Sequence, residues 1–396
     1  MMKAPVIIAH SCYRAPGGEE AVVDSECQLL RFKGHTVVEY RTYNSALVSL
    51  GMVGLARTVL WNSRSYDELG RLIEATRPAL VHFHNTFPSM SPSVYYVARR
   101  FGIPVVQTVH NFRLLCVNAN LFREGRVCED CVGKVPWRGA MRGCYRGSRA
   151  SSVVVASMLT LHRVLRTWRD AVEVYIALSE FSRQKLIMGG LPADKVVVKP
   201  NCVSSDPGFG GQPMGYALFV GRLSAEKGIG ALVVAWQKLC GRVPLKVVGD
   251  GPDRDVIEDA TRRLPNVEWL GPRTRSEVVA LMKEANFLVV PSGAYENFPV
   301  TIAEAFSVGL PVIASGHGSL CEVVEDLRTG LHFRPGDPEH LADRVEWAWE
   351  HPAELAEMRR EARAEYETKY TAARNYQMLM EIYQRAGCRG DFCAAN

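Results

Sequence analysis

The stretch PSGAYENFPVTIAEAFSVGLPVIAS, residues 291–315, decides the fold. It overlaps the run FLVVPS (287–292), which reads as a buried strand ending in a loop. Pro299 then suits a first helical turn, and Ile302, Ala305 and Phe306 recur at helical spacing. A strand that hands over to a helix through a short loop is one step of a parallel α/β sheet, and such sheets bind ligands beyond the carboxyl ends of their strands. Backbone N–H groups at the following helix favour anions there, and Asn297 and Phe298 are placed to offer them. Glu296 and Glu304 flank the predicted helix start. On one straight helix they would lie roughly 12 Å apart at about 1.5 Å per residue, too far for the roughly 5–9.5 Å carboxylate pair of a glycosidase. They are expected to hold different parts of one extended ligand; the alternative is two glutamates on a solvated helix face.

Working outward, YALFVGRLSAEKGIGALVVAW (216–236) reads as a buried strand, a turn through Gly221 and a helix opening after Gly228. Arg222 and Lys227 fall in that connection. Two cations beside a helix N-terminus suit a diphosphate, because Arg grips phosphate oxygens bidentately and Lys adds a point charge. Taken alone, Arg222 reads equally as an exposed residue paired with Glu226.

Strands alternate with helical stretches along the whole chain, near 5–11, 36–42, 79–84, 104–110, 172–178 and 195–199, then near 216–221, 244–248, 267–270, 286–291, 311–315 and 331–333. This predicts two successive Rossmann-like units. The segment NCVSSDPGFGGQPMG (201–215), rich in Gly, Pro and Ser, is the expected boundary. The expected domains are 1–205, 206–370, and a C-terminal helix and tail at 371–396. With 396 residues, 47% hydrophobic and 22% charged, the chain can bury two cores. No apolar run approaches the roughly 18 residues of a spanning helix, and VIIA near the N-terminus is too short for a secretory signal. The expected location is cytoplasmic.

In the first half, SCYRAPGGEEAVVDSE (11–26) follows the first strand, and Gly17 and Gly18 precede a helix. The pair offers bare backbone to a phosphate or a sugar, or makes a simple turn; it is not the G-x-G-x-x-G fingerprint of a dinucleotide fold. His84 and Asn85 close VHFHN, and His110 and Asn111 close VVQTVHN, so both pairs are expected at carboxyl strand ends. Within 113–149, Cys116, Cys128, Cys131 and Cys144 give C-x11-C-x2-C-x12-C. The central C-x2-C suits a structural zinc site; free thiols and disulfides are the alternatives. Residues 1–200 carry 26 Lys and Arg against 15 Asp and Glu, whereas residues 201–396 carry 21 against 27.

The chain resembles the retaining, nucleotide-sugar-dependent glycosyltransferases of family 4, which have the two-domain GT-B architecture. The resemblance rests on Gly221, Arg222, Leu223, Glu226, Lys227 and Gly228; on Gly249, Asp250 and Gly251 in VVGDGP; on Gly271; and on Glu296 through Glu304, an E-x7-E pattern. Gly309, Pro311, Gly318, Glu322 and Gly330 continue it. It is specific in the second half and looser in the first. In GSLCEVV (318–324) the chain departs from the pattern, with Ser319 and Cys321 where relatives carry Gly and Pro.

The resemblance implies an acceptor-binding first domain and a donor-binding second domain facing across a cleft, with the terminal helix crossing back to the first. It implies transfer of a sugar from a UDP- or GDP-sugar co-substrate to a hydroxyl, with retention and without a catalytic metal. It assigns Arg222, Lys227, Glu296 and His110 to catalysis, His110 touching the transferred sugar. Gly17, Gly18, Gly221, Gly251, Asn297, Phe298, Pro299, Val300 and Glu304 would bind the donor, with Glu304 on the ribose and Arg273 by the base. His84 and Asn85 would lie on the acceptor side. The basic first half then suits an anionic acceptor, such as a lipid-linked glycan on the inner membrane surface, with a solvated Arg-rich face as the alternative. No nucleic-acid module appears. The rival readings are a nicotinamide-dependent oxidoreductase and an inactive glycan binder of the same fold.

Overall fold

The computed structural model describes residues 4–13, 17–47 and 50–388. Each half of the chain contributes six strands to a wholly parallel sheet. In the first sheet β1 (Val6–Cys12), β2 (Val37–Tyr43), β3 (Leu80–Asn85), β4 (Val105–Thr108), β5 (Val174–Ala177) and β6 (Val196–Val198) lie in the order β2-β1-β3-β4-β5-β6. In the second, β7 (Ala217–Val220), β8 (Leu245–Val248), β9 (Val267–Gly271), β10 (Phe287–Val290), β11 (Val312–Ser315) and β12 (Gly330–Phe333) lie in the order β9-β8-β7-β10-β11-β12. Helices cover both faces of such sheets, so central strands read as continuous apolar runs. All residues of β1, β3 and β10 are buried accordingly.

Strand order reverses between β1 and β3 in the first sheet, and between β7 and β10 in the second. These are the switch points, where the loops leaving adjacent strands diverge and open a crevice. The fold is that of a GT-B protein, two doubly wound α/β units. One compact unit comprises Met1–Leu121, Glu129–Pro200 and Asn375–Asn396, and the other Phe122–Cys128 and Asn201–Arg374. The short ribbon of Phe122–Arg123 and Arg126–Val127 therefore leaves the cysteine-bearing insertion to join the second unit.

Each unit has its own core. In the first, Val6, Ile8, Val106 and Ile176 of the sheet pack with Val23 and Leu30 of the Gly18–Phe32 helix. The same core takes Leu379, Ile382 and Tyr383 from the C-terminal helix Ala372–Arg385. That helix therefore returns to complete the unit the chain began with. In the second, Trp236 is fully buried among Phe219, Leu245, Val289 and Ile313, and its indole N–H donates to the Val243 carbonyl at 2.9 Å.

Candidate active site

At the second switch point, the loop after β7 leads through Gly221 and Arg222 into a short turn, Ala225–Lys227, and the helix Ile229–Lys238. The loop after β10 runs to the helix Val300–Ser307, with Pro299 at its N-cap. Backbone stitches the two loops together: Gly293 and Ala294 N–H groups both donate to the Glu226 carbonyl, at 2.9 and 3.2 Å. Gly228, at φ 75°, passes so near Pro291 that a Cβ would lie 1.8 Å from its carbonyl oxygen, so only glycine fits. The loop after β8 closes in the same way, with a Cβ on Gly249 meeting the Gly221 carbonyl at 1.9 Å and one on Gly251 meeting that of Leu223 at 2.3 Å.

This scaffold brings the charged residues together. Lys227 Nζ lies 2.7 Å from Glu296 Oε1, and the Ser292 hydroxyl donates to the same oxygen at 2.6 Å. Burial pushes the Glu296 carboxyl up, but Lys227, Ser292 and His317 outweigh it and hold it below its ordinary value. Glu304, one turn into its helix, meets Arg275 Nε at 3.1 Å. Burial there wins over Arg275, and the Glu304 carboxyl is pushed up. Arg222 is exposed and pairs with neither Glu226 nor any other carboxylate among the described residues. The helix Val300–Ser307 presents the backbone N–H groups of a first turn beside these side chains.

Two contributors, Arg275 and His317, were not singled out from sequence, and a third, Ser319, was named there only as a departure from the family pattern. Arg275 reaches Glu304, and Arg273, expected by the base, is exposed. His317 binds the Ser292 carbonyl through Nε2 at 2.9 Å, and its ring lies 5.5 Å from that of Tyr295. Ser319, the departure from the family pattern, donates its hydroxyl to the Glu296 carbonyl at 2.6 Å and so anchors the loop from behind. Phe298 turns inward, 7% exposed and 5.4 Å from the Tyr370 ring, so its side chain belongs to the core and only its backbone faces the loop. Pro299 is buried with it, while Asn297 and Val300 remain partly exposed.

At the first switch point, Gly17 caps the Gly18–Phe32 helix, but its N–H is already donated to Glu20 at 2.8 Å; the same carboxylate takes the Tyr13 N–H at 2.8 Å. Gly17 therefore has no N–H to spare for an anion, whereas the side-chain position of Gly18 is open. Next to it, burial and Glu20 push the Glu19 carboxyl up to about 8. His84 and Asn85, expected on the acceptor side, are buried. Asn85 donates to the Ser11 carbonyl at 3.0 Å and accepts from the Phe87 N–H at 2.9 Å. His84 lies between Glu26 and His110, at 3.2 Å from Glu26 Oε1 and 2.9 Å from His110 Nε2. Buried charge faces these residues: Glu26 is 5% exposed and also meets Lys199 Nζ at 3.3 Å. His110 itself is partly exposed.

Among the described residues, Glu26, His82 and His84 form the one group of His, Cys, Asp or Glu ligand atoms close enough to share a metal ion. Their ring nitrogens already have protein partners, and Lys199 supplies the counter-charge. No three of Cys116, Cys128, Cys131 and Cys144 bring their thiols close enough to share a metal ion, and none of the four is in a disulfide. Cys116 instead turns its thiol to Asn118 at 2.9 Å, and the insertion divides between the two units around Cys128.

Residues 12–202 match the model of the glycosyl transferase 4-like domain, and residues 213–365 that of glycosyl transferases group 1. The chain is 31% identical over 276 residues to the 2-deoxystreptamine glucosyltransferase of Streptomyces kanamyceticus, covering 66% of each. Over the curated relatives it matches, the shared region spans from 36% to 66% of their length. Its fold matches the sucrose-phosphate synthase of Thermosynechococcus elongatus with a TM-score of 0.72 at 17% identity, covering 97% of this chain and 100% of that one. It also matches Anabaena HepE in complex with UDP and glucose, with a TM-score of 0.64 at 18% identity, covering 96% and 99%. Matches to both halves, on two doubly wound units with cations and carboxylates gathered at the second switch point, make this chain a member of the GT-B glycosyltransferase superfamily.

Proposed function

We propose that this protein transfers a sugar from a UDP- or GDP-sugar to an acceptor hydroxyl with retention of anomeric configuration, using no catalytic metal. One observation carries the reading. At the second switch point the loops leaving β7 and β10 carry the unpaired, exposed Arg222 and the Lys227–Glu296 pair, and Arg275 pairs with Glu304 of the Val300–Ser307 helix that follows. Such a site suits an extended ligand with a dianionic centre and hydroxyl-bearing ends.

In this reading Arg222, Lys227 and the backbone N–H groups at 297–300 face the diphosphate. The bond from the anomeric carbon to the leaving phosphate oxygen breaks, a bond to the acceptor oxygen forms, and the acceptor hydroxyl passes its proton to the departing phosphate oxygen. Negative charge grows on the leaving oxygen, and fixed positive charge lowers that barrier without a Lewis acid. Glu304 binds the ribose hydroxyls. Glu296, kept anionic by Lys227, accepts from hydroxyls of the transferred sugar. Gly221 and Gly251 leave room for the donor, and Arg273 lies by the base. Support for a uracil nucleotide comes from HepE, whose structure holds UDP.

The first unit then takes the acceptor. Its excess of positive charge favours an anionic one, a lipid-linked glycan reached at the cytoplasmic membrane surface. Among the described residues no helix is long and apolar enough to cross a membrane. A panel of UDP-, GDP- and ADP-sugars, followed by thermal shift and by sugar release in the presence of EDTA, tests the reading. One donor should stabilise the protein and be turned over despite the chelator. Binding of NAD with no response to any nucleotide sugar would overturn it.

A further inference from the structure

Behind His110 the first unit buries a polar network larger than the contact with a sugar needs. Lys199 Nζ meets Glu26 Oε2 at 3.3 Å and Asn375 Oδ1 at 3.2 Å. Glu26 Oε1 faces His84 Nε2 at 3.2 Å and His82 Nδ1 at 3.0 Å. His84 Nδ1 faces His110 Nε2 at 2.9 Å, with the two ring planes 17° apart. His82 Nδ1 also meets the Tyr383 hydroxyl at 2.9 Å, and its Nε2 meets the Thr108 hydroxyl at 2.8 Å. Every member but His110 is buried.

Donor and acceptor rules fix the direction of this chain of bonds. An ammonium only donates and an ionised carboxylate only accepts, so Lys199 holds Glu26 as an acceptor and His84 Nε2 must donate to it. A neutral imidazole carries a single N–H, so His84 Nδ1 accepts, and His110 Nε2 must donate. The remaining nitrogen, His110 Nδ1, then carries a lone pair. It has no partner among the described residues. A protonated Glu26 would reverse every bond and turn the same nitrogen into a donor.

We propose that Glu26, charged by Lys199 and acting through His84, is a positioning residue that fixes the tautomer of His110, so that its Nδ1 accepts a hydrogen bond from a hydroxyl of the transferred sugar. The inference rests on the glycosyltransferase reading for its ligand, but not for its tautomer. The remaining charged or titratable groups around the network are His82, Tyr383 and His10; they leave the polarity to Glu26 because neither imidazole touches the His84–His110 bond.

The full chain labelled with 15N-histidine tests it, with the His110 signal assigned by loss in His110→Gln. At neutral pH His110 Nδ1 should give the signal of an unprotonated nitrogen and Nε2 that of an N–H. A protonated Nδ1 in the wild-type protein overturns the proposal outright, whatever the enzyme assays show. In Glu26→Gln the amide tolerates either polarity, so the two His110 tautomers should mix, and kcat/KM for the nucleotide sugar should fall on the order of 10- to 100-fold. Affinity for the bare nucleoside diphosphate should stay unchanged. An unaltered His110 spectrum in Glu26→Gln also overturns it. Should that variant unfold, Glu26→Gln with Lys199→Met removes both buried charges together, and the same spectrum is read there. Failure to bind any nucleotide sugar, with the predicted tautomer present, would instead count against the proposed function.

Discussion

Replacing Lys227 with Met separates the two roles of the Lys227–Glu296 pair. At 2.7 Å and an effective dielectric of about 20, the gross attraction is roughly 6 kcal/mol. Lys227 is 32% exposed and Glu296 16%, so solvent screens much of it. Exposed pairs contribute about 0–1 kcal/mol and broken buried pairs cost about 3–5 kcal/mol, which places this one near 2 kcal/mol at pH 7. The sign with pH follows from Glu296, whose folded value is depressed: the pair's contribution is present above the ordinary carboxylate range and disappears as pH falls through the folded value. The variant has no cation to offset burial, so its carboxyl should titrate higher. Urea unfolding at pH 7 and in acid should therefore show wild type and variant converging as pH drops. Affinity for UDP or GDP should fall and lose part of its salt dependence, and turnover should drop on the order of 10²- to 10³-fold. A stability gap that does not change with pH, together with unaltered nucleotide affinity, would refute the reasoning.

Gly228→Ala should be costlier to the fold than Lys227→Met, since its Cβ has no room beside Pro291; a loss of about 3 kcal/mol or more in urea unfolding is expected, and a neutral effect would contradict the packing. Arg275→Ala removes the partner of Glu304 and lets burial push that carboxyl up further, so nucleotide affinity should fall about tenfold, most steeply below neutral pH, as read by calorimetry. Acid should weaken the first unit: burial and His82 hold His84 down to about 4, so the unfolded chain takes that proton first, and up to about 3 kcal/mol is lost between pH 6.5 and 4. Glu19, pushed up to about 8, acts in the opposite direction, so Glu19→Gln should steepen the acid loss and remove the decline in stability from pH 6.5 to 8.

The central strands of the two sheets were legible because buried parallel strands are written as unbroken apolar runs, whereas edge strands such as VVEYRTY (37–43) and VEWLG (267–271) were legible from their place in the alternation of strands and helices. The residues at the second switch point were legible for a related reason: Arg222, Lys227 and Glu296 each lie in the connection that follows such a run, so their place beyond a carboxyl strand end is dictated locally. Arg275 and Ser319 reach the same site from other connections, and no local pattern joins Arg275 to Glu304 or Ser319 to the Glu296 carbonyl. Glu26 was missed because a glutamate in an amphipathic helix normally faces water; only the returning C-terminal helix, with Asn375 and Tyr383, closes over it. At the cysteines C-x2-C describes only a distance along the chain, and the fold directs the Cys116 thiol to a local asparagine.

The central claim is that a nucleoside diphosphate binds at the switch point of the second sheet. A crystal structure of the protein with UDP or GDP tests it most directly. The account predicts the diphosphate within hydrogen-bonding distance of Arg222 and Lys227, and ribose hydroxyls on Glu304. A nucleotide seated elsewhere, with these three side chains untouched, would contradict it.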